Sequence, residues 1–134
     1  MKNSKSAGNV NLNKCVRCGD CATGCNFGAK NSLDVNLLVA AQQAGAEIFS
    51  GATVLSIEKD SNDGWLVNCV HTNAALRKRD GKMLRIRARK VVLAAGMLGS
   101  SEILLRSRAL GLQMSETLGK RCSTNGDMLI ADYA

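Results

Sequence analysis

The chain has 134 residues, which gives room for one domain with a modest hydrophobic core. Its apolar fraction of 46% suits a globular protein, and no apolar run approaches the ~20 residues that a membrane-spanning helix needs. Eighteen basic residues against eleven acidic ones give a net charge of +7. The basic clusters at residues 77–79 and 82–90 lack interleaved aromatic side chains, so nucleic-acid binding is not predicted.

The N-terminal segment bears on the compartment. Residues 1–14 form a polar lead-in without the apolar segment of a signal peptide, which predicts a cytoplasmic protein. In that compartment the six cysteines stay reduced unless they bind metal or take part in redox chemistry.

A cysteine run follows the lead-in, with the spacing C-x2-C-x2-C-x3-C. Its members are Cys15, Cys18, Cys21 and Cys25. This is the spacing of a bacterial ferredoxin run, which holds an iron–sulfur cluster. Two features differ: a ferredoxin's fourth cysteine serves a second cluster, and the proline that usually follows it is replaced here by Asn26.

Three interpretations of the run stay open. One iron–sulfur cluster forms if the loop turns all four cysteines inward, or if Cys69 or Cys122 supplies the remaining ligand. Zinc is the second, because four thiolates satisfy its tetrahedral preference, although structural zinc pairs are usually farther apart. The third is a cysteine-rich turn without metal.

The next segments alternate between helical and strand patterns. Residues 32–44 place apolar side chains at the helical period, which predicts a helix that ends at Gly45. Four strands are then predicted, with an Asn-Asp-Gly turn between the second and the third and a polar loop at 77–81 before the fourth. They cover residues 46–49, 53–58, 65–71 and 83–88.

The stretch over residues 90–107 organises the rest. Residues 91–95 are apolar and rich in β-branched side chains, which predicts a strand buried on both faces that continues from the preceding strand. Gly96 and Gly99 are expected to bracket a tight turn, and Ser100 or Ser101 to cap a helix over 100–108. Such a turn either presents backbone N–H groups to a ligand or simply connects two core elements.

The fold class predicted from these elements is α/β with a β-meander insertion. Residues 125–127 read as a turn, and residues 128–130 as the start of another strand. His71, the single histidine, lies in a predicted strand and is interpreted as a surface residue, so no catalytic residue is assigned.

Three stretches together resemble the glucose–methanol–choline (GMC) flavin oxidoreductases, in particular their bacterial cholesterol-oxidase-like branch. The first is CVRCGDCATGCNFGAKNSLDVNLL and the second is AGAEIFSGATVLSIE. The third is VVLAAGMLGSSEILLRSRALG, which leads to LGKRCSTNGD. The resemblance implies that residues 15–134 are an incomplete, Rossmann-like FAD-binding domain.

The resemblance also implies a reaction and a set of cofactor contacts. Family members oxidise an alcohol, in this branch possibly a sterol, by hydride transfer to the flavin. Val54 is implied to meet the adenine. Ala95, Gly96 and Gly99 are implied to form the turn beside the dinucleotide. Asn125 and Gly126 are implied to approach the active-site side of the flavin.

Several family features are absent from this sequence. It has no GxGxxG motif, no acidic ribose-binding residue after a second strand, and no catalytic histidine with its asparagine or histidine partner. The expectation is therefore an interior piece of a longer protein, inactive by itself. An alcohol or sterol substrate and an electron acceptor are expected for the full-length protein. The competing functions are an iron–sulfur electron-transfer module built on residues 15–25 and a scaffold without cofactor.

Overall fold

The structure is a computed structural model, and it describes residues 3–121, 123 and 126. The chain divides into two compact units, Met1–Ser50 and Gly51–Ala134. The turn predicted at 125–127 and the strand predicted at 128–130 lie outside the described residues, apart from Gly126. Within the described part, no helix is both long enough and apolar enough to cross a membrane.

The first unit contains little regular structure. Its elements are β1 (Ser4–Lys5), β2 (Asn11–Leu12), a 3-10 helix (Leu33–Val35) and α1 (Leu37–Gln43). β1 and β2 pair antiparallel, and Ser6 just beyond β1 donates its Oγ to the carbonyl of Val35 at 2.6 Å. The cysteine run lies in the turns between β2 and the 3-10 helix.

The helix predicted over residues 32–44 ends as expected but is divided near its start. Gly45 has a φ of +92° and closes the C-terminus of α1 by donating its N–H to Gln42 at 2.9 Å, while Ala46 donates to Ala41 at 2.9 Å. Asn36 has φ −127° and ψ −100°, which are not helical, and it separates the 3-10 helix from α1. Its side-chain oxygen accepts from the N–H of Ala7 at 3.0 Å and helps to hold it there.

The strand predicted over residues 46–49 is absent, so that prediction was wrong. Ile48 and Phe49 are instead 46% and 77% exposed. Apolar content gave the prediction, but a strand also needs a neighbour to take its backbone hydrogen bonds, and no described strand pairs with this segment.

The second unit is built on a three-stranded antiparallel sheet. Its elements are β3 (Ala52–Lys59), β4 (Trp65–His71), α2 (Ala74–Asp80), β5 (Leu84–Ala88) and α3 (Gly96–Ala109). The strands follow chain order across the sheet, with Ile57 opposite Val67 and Val67 opposite Ile86. The predicted hairpin is confirmed, and Asp63 in its turn has a φ of +58°. That the sheet is an insertion into a Rossmann-like domain stays a prediction.

The polar loop predicted over residues 77–81 is wrong, because this region belongs to α2. Asn73 caps the helix by accepting from the N–H groups of Ala75 and Leu76 at 2.9 and 3.2 Å. Gly81, with a φ of +59°, ends it. The basic residues fall in the last turn, where they complement the helix dipole, so the high charge suits the end of a helix as well as a loop.

Residues 91–95 do not form the predicted doubly buried strand. Among the described residues β5 ends at Ala88, and the following segment carries no strand assignment. Val92 is 89% exposed, whereas Val91 and Leu93 are half-buried. The reason is again missing partners, since no described strand lies beside this segment in a ladder.

α3 begins four residues earlier than predicted, at Gly96. Ser100 and Ser101 therefore lie inside the helix and cannot be its N-cap, and Gly99 belongs to the helix rather than to a turn. Gly96 has a φ of +72°, a conformation that suits glycine, so the chain turns at this residue and enters the helix at once.

The contact between α3 and β3 forms the core of the second unit. β3 is paired only with β4, and its other edge faces α3. Ser107 is fully buried; its Oγ accepts from the N–H of Ile57 at 2.9 Å and donates to the carbonyl of Ile103 at 2.7 Å. Ile57, Ile103 and Cys69 are 5%, 6% and 1% exposed.

We expect Ser107→Ala to lower the free energy of unfolding by about 1–3 kcal/mol, because it leaves the buried N–H of Ile57 without an acceptor. Urea denaturation followed by the fluorescence of Trp65 measures this change. Ser101→Ala is the matched control, since it makes the same substitution in the same helix at a half-buried position. A loss in Ser107→Ala no larger than in the control would contradict the role given to this hydroxyl.

Candidate functional site

A pocket of about 470 Å³ in the second unit lies between the start of β3, the segment before α3 and the first turns of α3. Val54, Ala95 and Gly99 all line it. The structure thus brings together three of the six positions predicted to contact a cofactor, although they lie as far apart as residues 54 and 99 in the sequence.

The remaining three predicted positions are placed less directly. Gly96 follows the pocket residue Ala95 but is not part of the lining. Asn125 lies outside the described residues, and Gly126, although described, is not part of the lining either.

The N-terminus of α3 gives the pocket its electrostatic character. Ala95 stands at the N-cap position and provides no side-chain hydrogen bond to the helix. The first N–H groups of a helix have no acceptor within it, and the dipole makes this end favourable for anions. At Gly96 a Cβ would meet no atom within 4 Å, so this face of the turn is open. The arrangement suits an anionic group such as a phosphate.

Sequence reasoning missed two charged residues in the pocket wall, Glu102 and Arg106. They form an ion pair one helical turn apart, and Arg106 donates an Nη1 hydrogen to the carbonyl of Leu55 at 3.2 Å. Glu102 is exposed and Arg106 is half-buried at the surface, so the pair itself adds little to stability. The signal was present in the sequence, because oppositely charged residues four apart in a helix form such pairs.

His71 lies at the exposed end of β4. Its Nδ1 accepts from the N–H of Asn73 at 3.0 Å, next to the cap of α2. It is not among the residues that line the 470 Å³ pocket.

A second pocket, of about 110 Å³, lies in the first unit. All four cysteines of the run line it: Cys15, Cys18, Cys21 and Cys25. The first and last are half-buried, and the middle two are exposed. Within the described residues, no three His, Cys, Asp or Glu side chains are already grouped as ligands of a single metal ion.

Backbone N–H groups point at two of these sulfurs. The N–H of Arg17 donates to Cys15 Sγ at 3.4 Å, and the N–H of Ala29 donates to Cys25 Sγ at 3.3 Å. The N–H groups of Ala29 and Phe27 hold the pKa of the Cys25 thiol below its ordinary value, because they stabilise the thiolate.

The other two cysteines of the chain lie outside the run in the sequence. Cys69 is buried in β4 of the second unit and donates its thiol to the carbonyl of Leu84 at 3.7 Å. Cys122 lies outside the described residues. The alternative in which Cys69 completes a ligand set would require this residue to leave the core.

The lowered pKa predicts the reactivity of Cys25 in the metal-free chain. Only the thiolate reacts with iodoacetamide, so the alkylation rate of Cys25 should reach its plateau at a lower pH in the folded chain than in urea. Peptide-level mass spectrometry over a pH series measures both profiles. Identical midpoints in the two states would show that the backbone donors do not stabilise the thiolate.

The chain is similar to known proteins along most of its length. A family model described as GMC oxidoreductase matches residues 3–124. A cholesterol oxidase of Mycobacterium tuberculosis (strain CDC 1551 / Oshkosh) is 38% identical over 118 residues, which cover 87% of this chain and 20% of that protein. A cholesterol oxidase of Acinetobacter baumannii is 32% identical over 123 residues, which cover 87% of this chain and 22% of that protein.

The chain therefore spans about a fifth of the length of these curated relatives. No solved structure matches it. The family match extends over both units, from before the cysteine run to beyond α3. The chain belongs to the GMC oxidoreductase family.

Proposed function

We propose that this chain is the part of an FAD-dependent alcohol oxidoreductase that contacts the adenine side of the flavin dinucleotide. The observation that carries the proposal is the 470 Å³ pocket, which has Val54, Ala95 and Gly99 in its wall. Its volume lies in the range of ligand pockets, and its wall combines apolar side chains with a helix N-terminus. FAD supplies the redox chemistry when bound, by accepting a hydride from the alcohol carbon.

The residues of the pocket would divide the binding between them. Val54 lies where β3 has a register irregularity, between Val54 and Ser56, and such an irregularity redirects the strand backbone at the pocket wall. Gly96 leaves open space at the start of α3, where the helix dipole favours a phosphate. Gly99 lies one helical turn after Ala95, and a side chain there would be crowded, because its Cβ would lie 3.2 Å from Ala95 Cβ.

The substrate we propose is an alcohol, with a sterol as the first to test. Two of the relatives are named cholesterol oxidases, and this supports a sterol without assigning any residue of the chain to its recognition. After hydride transfer, two electrons must leave the flavin for an acceptor. Electron transfer through the cysteine run is a separate function, which depends on observations in the first unit.

We also propose that the chain has no alcohol-oxidising activity by itself. Several large apolar side chains at the surface of the second unit are exposed, among them Val92 at 89% and Leu98 at 73%. Such exposure supports a larger protein in which further chain covers these positions. The sequence also lacks the GxGxxG turn that seats a dinucleotide pyrophosphate.

FAD titration tests the binding part of the proposal. We expect the 134-residue chain to bind FAD no more tightly than micromolar, because the pyrophosphate-seating motif is absent and only the adenine side is present. AMP should compete with FAD, whereas FMN, which lacks the adenine, should not. Flavin fluorescence measures all three. A submicromolar dissociation constant for FAD would refute the argument that most of the binding affinity depends on the missing GxGxxG motif. Competition by FMN but not by AMP would refute the assignment of the pocket to the adenine side.

Gly96→Ala in the full-length protein tests the open turn. A φ of +72° costs alanine about 1–2 kcal/mol of backbone strain, but no atom lies in the way of the new Cβ. Gly81→Ala is the matched control, since Gly81 has a φ of +59°, equally open surroundings and a place at the end of α2.

We expect both variants to lose similar stability and only Gly96→Ala to lose bound flavin, by roughly tenfold or more in affinity for a cost of about 1.4 kcal/mol. Thermal unfolding of the apoprotein and the flavin content after gel filtration measure the two effects. Equal flavin content in the two variants would make Gly96 a structural residue.

A further inference from the structure

The cysteine run is the one chemical motif of the sequence that flavin chemistry does not use. Its four thiols lie within eleven residues, and they all line the 110 Å³ pocket. We propose that this pocket binds an iron–sulfur cluster through Cys15, Cys18, Cys21 and Cys25. The inference goes beyond the proposed flavin function, because it depends on other residues in the other unit.

Backbone N–H groups of the loop donate hydrogen bonds to two sulfurs of the run. Cys15 Sγ accepts the N–H of Arg17 at 3.4 Å, and Cys25 Sγ accepts the N–H of Ala29 at 3.3 Å. Backbone N–H···S hydrogen bonds are one of the means by which proteins tune iron–sulfur clusters. These two outer cysteines are half-buried, and the middle two, Cys18 and Cys21, are exposed.

Arg17 adopts an unusual conformation to make its contact. Its φ is +59°, in the left-handed region where residues other than glycine are uncommon. Its N–H nevertheless reaches back to Cys15, two residues before it. Non-glycine residues in this conformation are found at functional sites more often than elsewhere. Arg17 lies between the first two cysteines of the run.

The charges around the pocket suit an anionic centre. Four thiolates around a cluster carry net negative charge, and the pocket wall contains the two cations Arg17 and Lys30 against the single acid Asp20. Lys30 is held over the loop, because its Nζ donates to the carbonyl of Cys21 at 2.6 Å. A cation held against the ligand loop offsets part of the charge that four thiolates would bring together.

The geometry favours a cluster over a single zinc ion. With Zn–S bonds of about 2.3 Å, four sulfurs lie about 3.8 Å apart and enclose no further space. Here the four cysteines line a cavity of about 110 Å³, more room than a single ion in contact with all four sulfurs would fill. A cluster holds its thiolates farther apart, because each binds a different iron. The short spacing within the run agrees, since it is that of ferredoxins.

Reconstitution of the 134-residue chain tests the inference without flavin, so its outcome is independent of FAD binding. Anaerobic incubation with ferric iron, sulfide and excess dithiothreitol, which reduces part of the iron, followed by desalting, should leave roughly four irons and four acid-labile sulfides per chain. Reduction by dithionite should bleach the visible charge-transfer absorption and produce an electron paramagnetic resonance signal. One zinc per chain in a parallel incubation, with iron and sulfide substoichiometric, would overturn the cluster. Substoichiometric binding of every metal would leave a metal-free turn.

Substitutions test the ligand set. Cys18→Ser and Cys21→Ser should each reduce bound iron at least tenfold, since these thiols are central in the run and both line the pocket. Cys122→Ser removes one thiol outside the run and should retain the wild-type iron content. Iron retained in Cys18→Ser, or lost equally in Cys122→Ser, would overturn the assigned ligands.

The apo forms of these variants show whether loss of iron is loss of a ligand. Cys18 is exposed, so Cys18→Ser should leave the melting temperature of the metal-free chain and its far-ultraviolet circular dichroism unchanged. A metal-bound wild-type chain should melt at a higher temperature than its apo form, because binding to the folded state stabilises it. This increase should be missing from Cys18→Ser, and an equal increase in that variant would contradict its role as a ligand.

Discussion

The hydroxyl of Ser107 joins α3 to the sheet, and the 470 Å³ pocket depends on this contact. The hydroxyl accepts a hydrogen bond from the N–H of Ile57 at the edge of β3 and donates one to the carbonyl of Ile103 in α3. One buried hydroxyl therefore bonds to the backbone of both elements. Arg106 repeats the contact one residue earlier, where its guanidinium reaches the carbonyl of Leu55. These contacts lie two to three turns beyond the start of α3. They therefore hold Gly96 and the positive end of the helix beside the first residues of β3, where the pocket opens.

The sequence patterns correctly predicted the elements that are determined by residues within or next to the segment itself. β4 was predicted with its observed limits, Trp65–His71, because a turn precedes it and its composition favours a strand. The C-terminus of α1 was predicted from Gly45, which makes the expected hydrogen bonds by itself. α2 was missed although its signals were present, since Asn73 and Gly81 cap a segment whose charge suggested a loop.

The two wrong strand predictions share one physical origin. Residues 46–49 and 91–95 have the composition of strands, but a strand is completed by hydrogen bonds to a neighbour that its own sequence does not specify. Neither segment pairs with a described strand, and Phe49 and Val92 are exposed at 77% and 89%. The 470 Å³ pocket likewise depends on contacts between segments that are distant in the sequence. The family resemblance indicated its positions, whereas only the packing of α3 on β3 shows that Val54 and Gly99 share one wall.

The cysteine run is the opposite case, because all four thiols lie within eleven residues and the spacing alone suggests a metal. What the sequence could not give is the direction of the sulfurs. The hydrogen bonds from Arg17 and Ala29 come from the loop conformation. The two pockets thus belong to separate units and depend on different chemistry, one on a helix N-terminus and the other on thiolates.

The central claim is that the pocket at the start of α3 is the place where this chain meets the adenine side of FAD. Amide chemical shifts of the ¹⁵N-labelled chain during titration with AMP test it most directly, because they report the contact residue by residue. The predicted result is that the largest shift changes fall on Val54, Gly96 and Gly99. Changes confined to the cysteine loop or to α2, with these three amides unmoved at saturation, would contradict the claim.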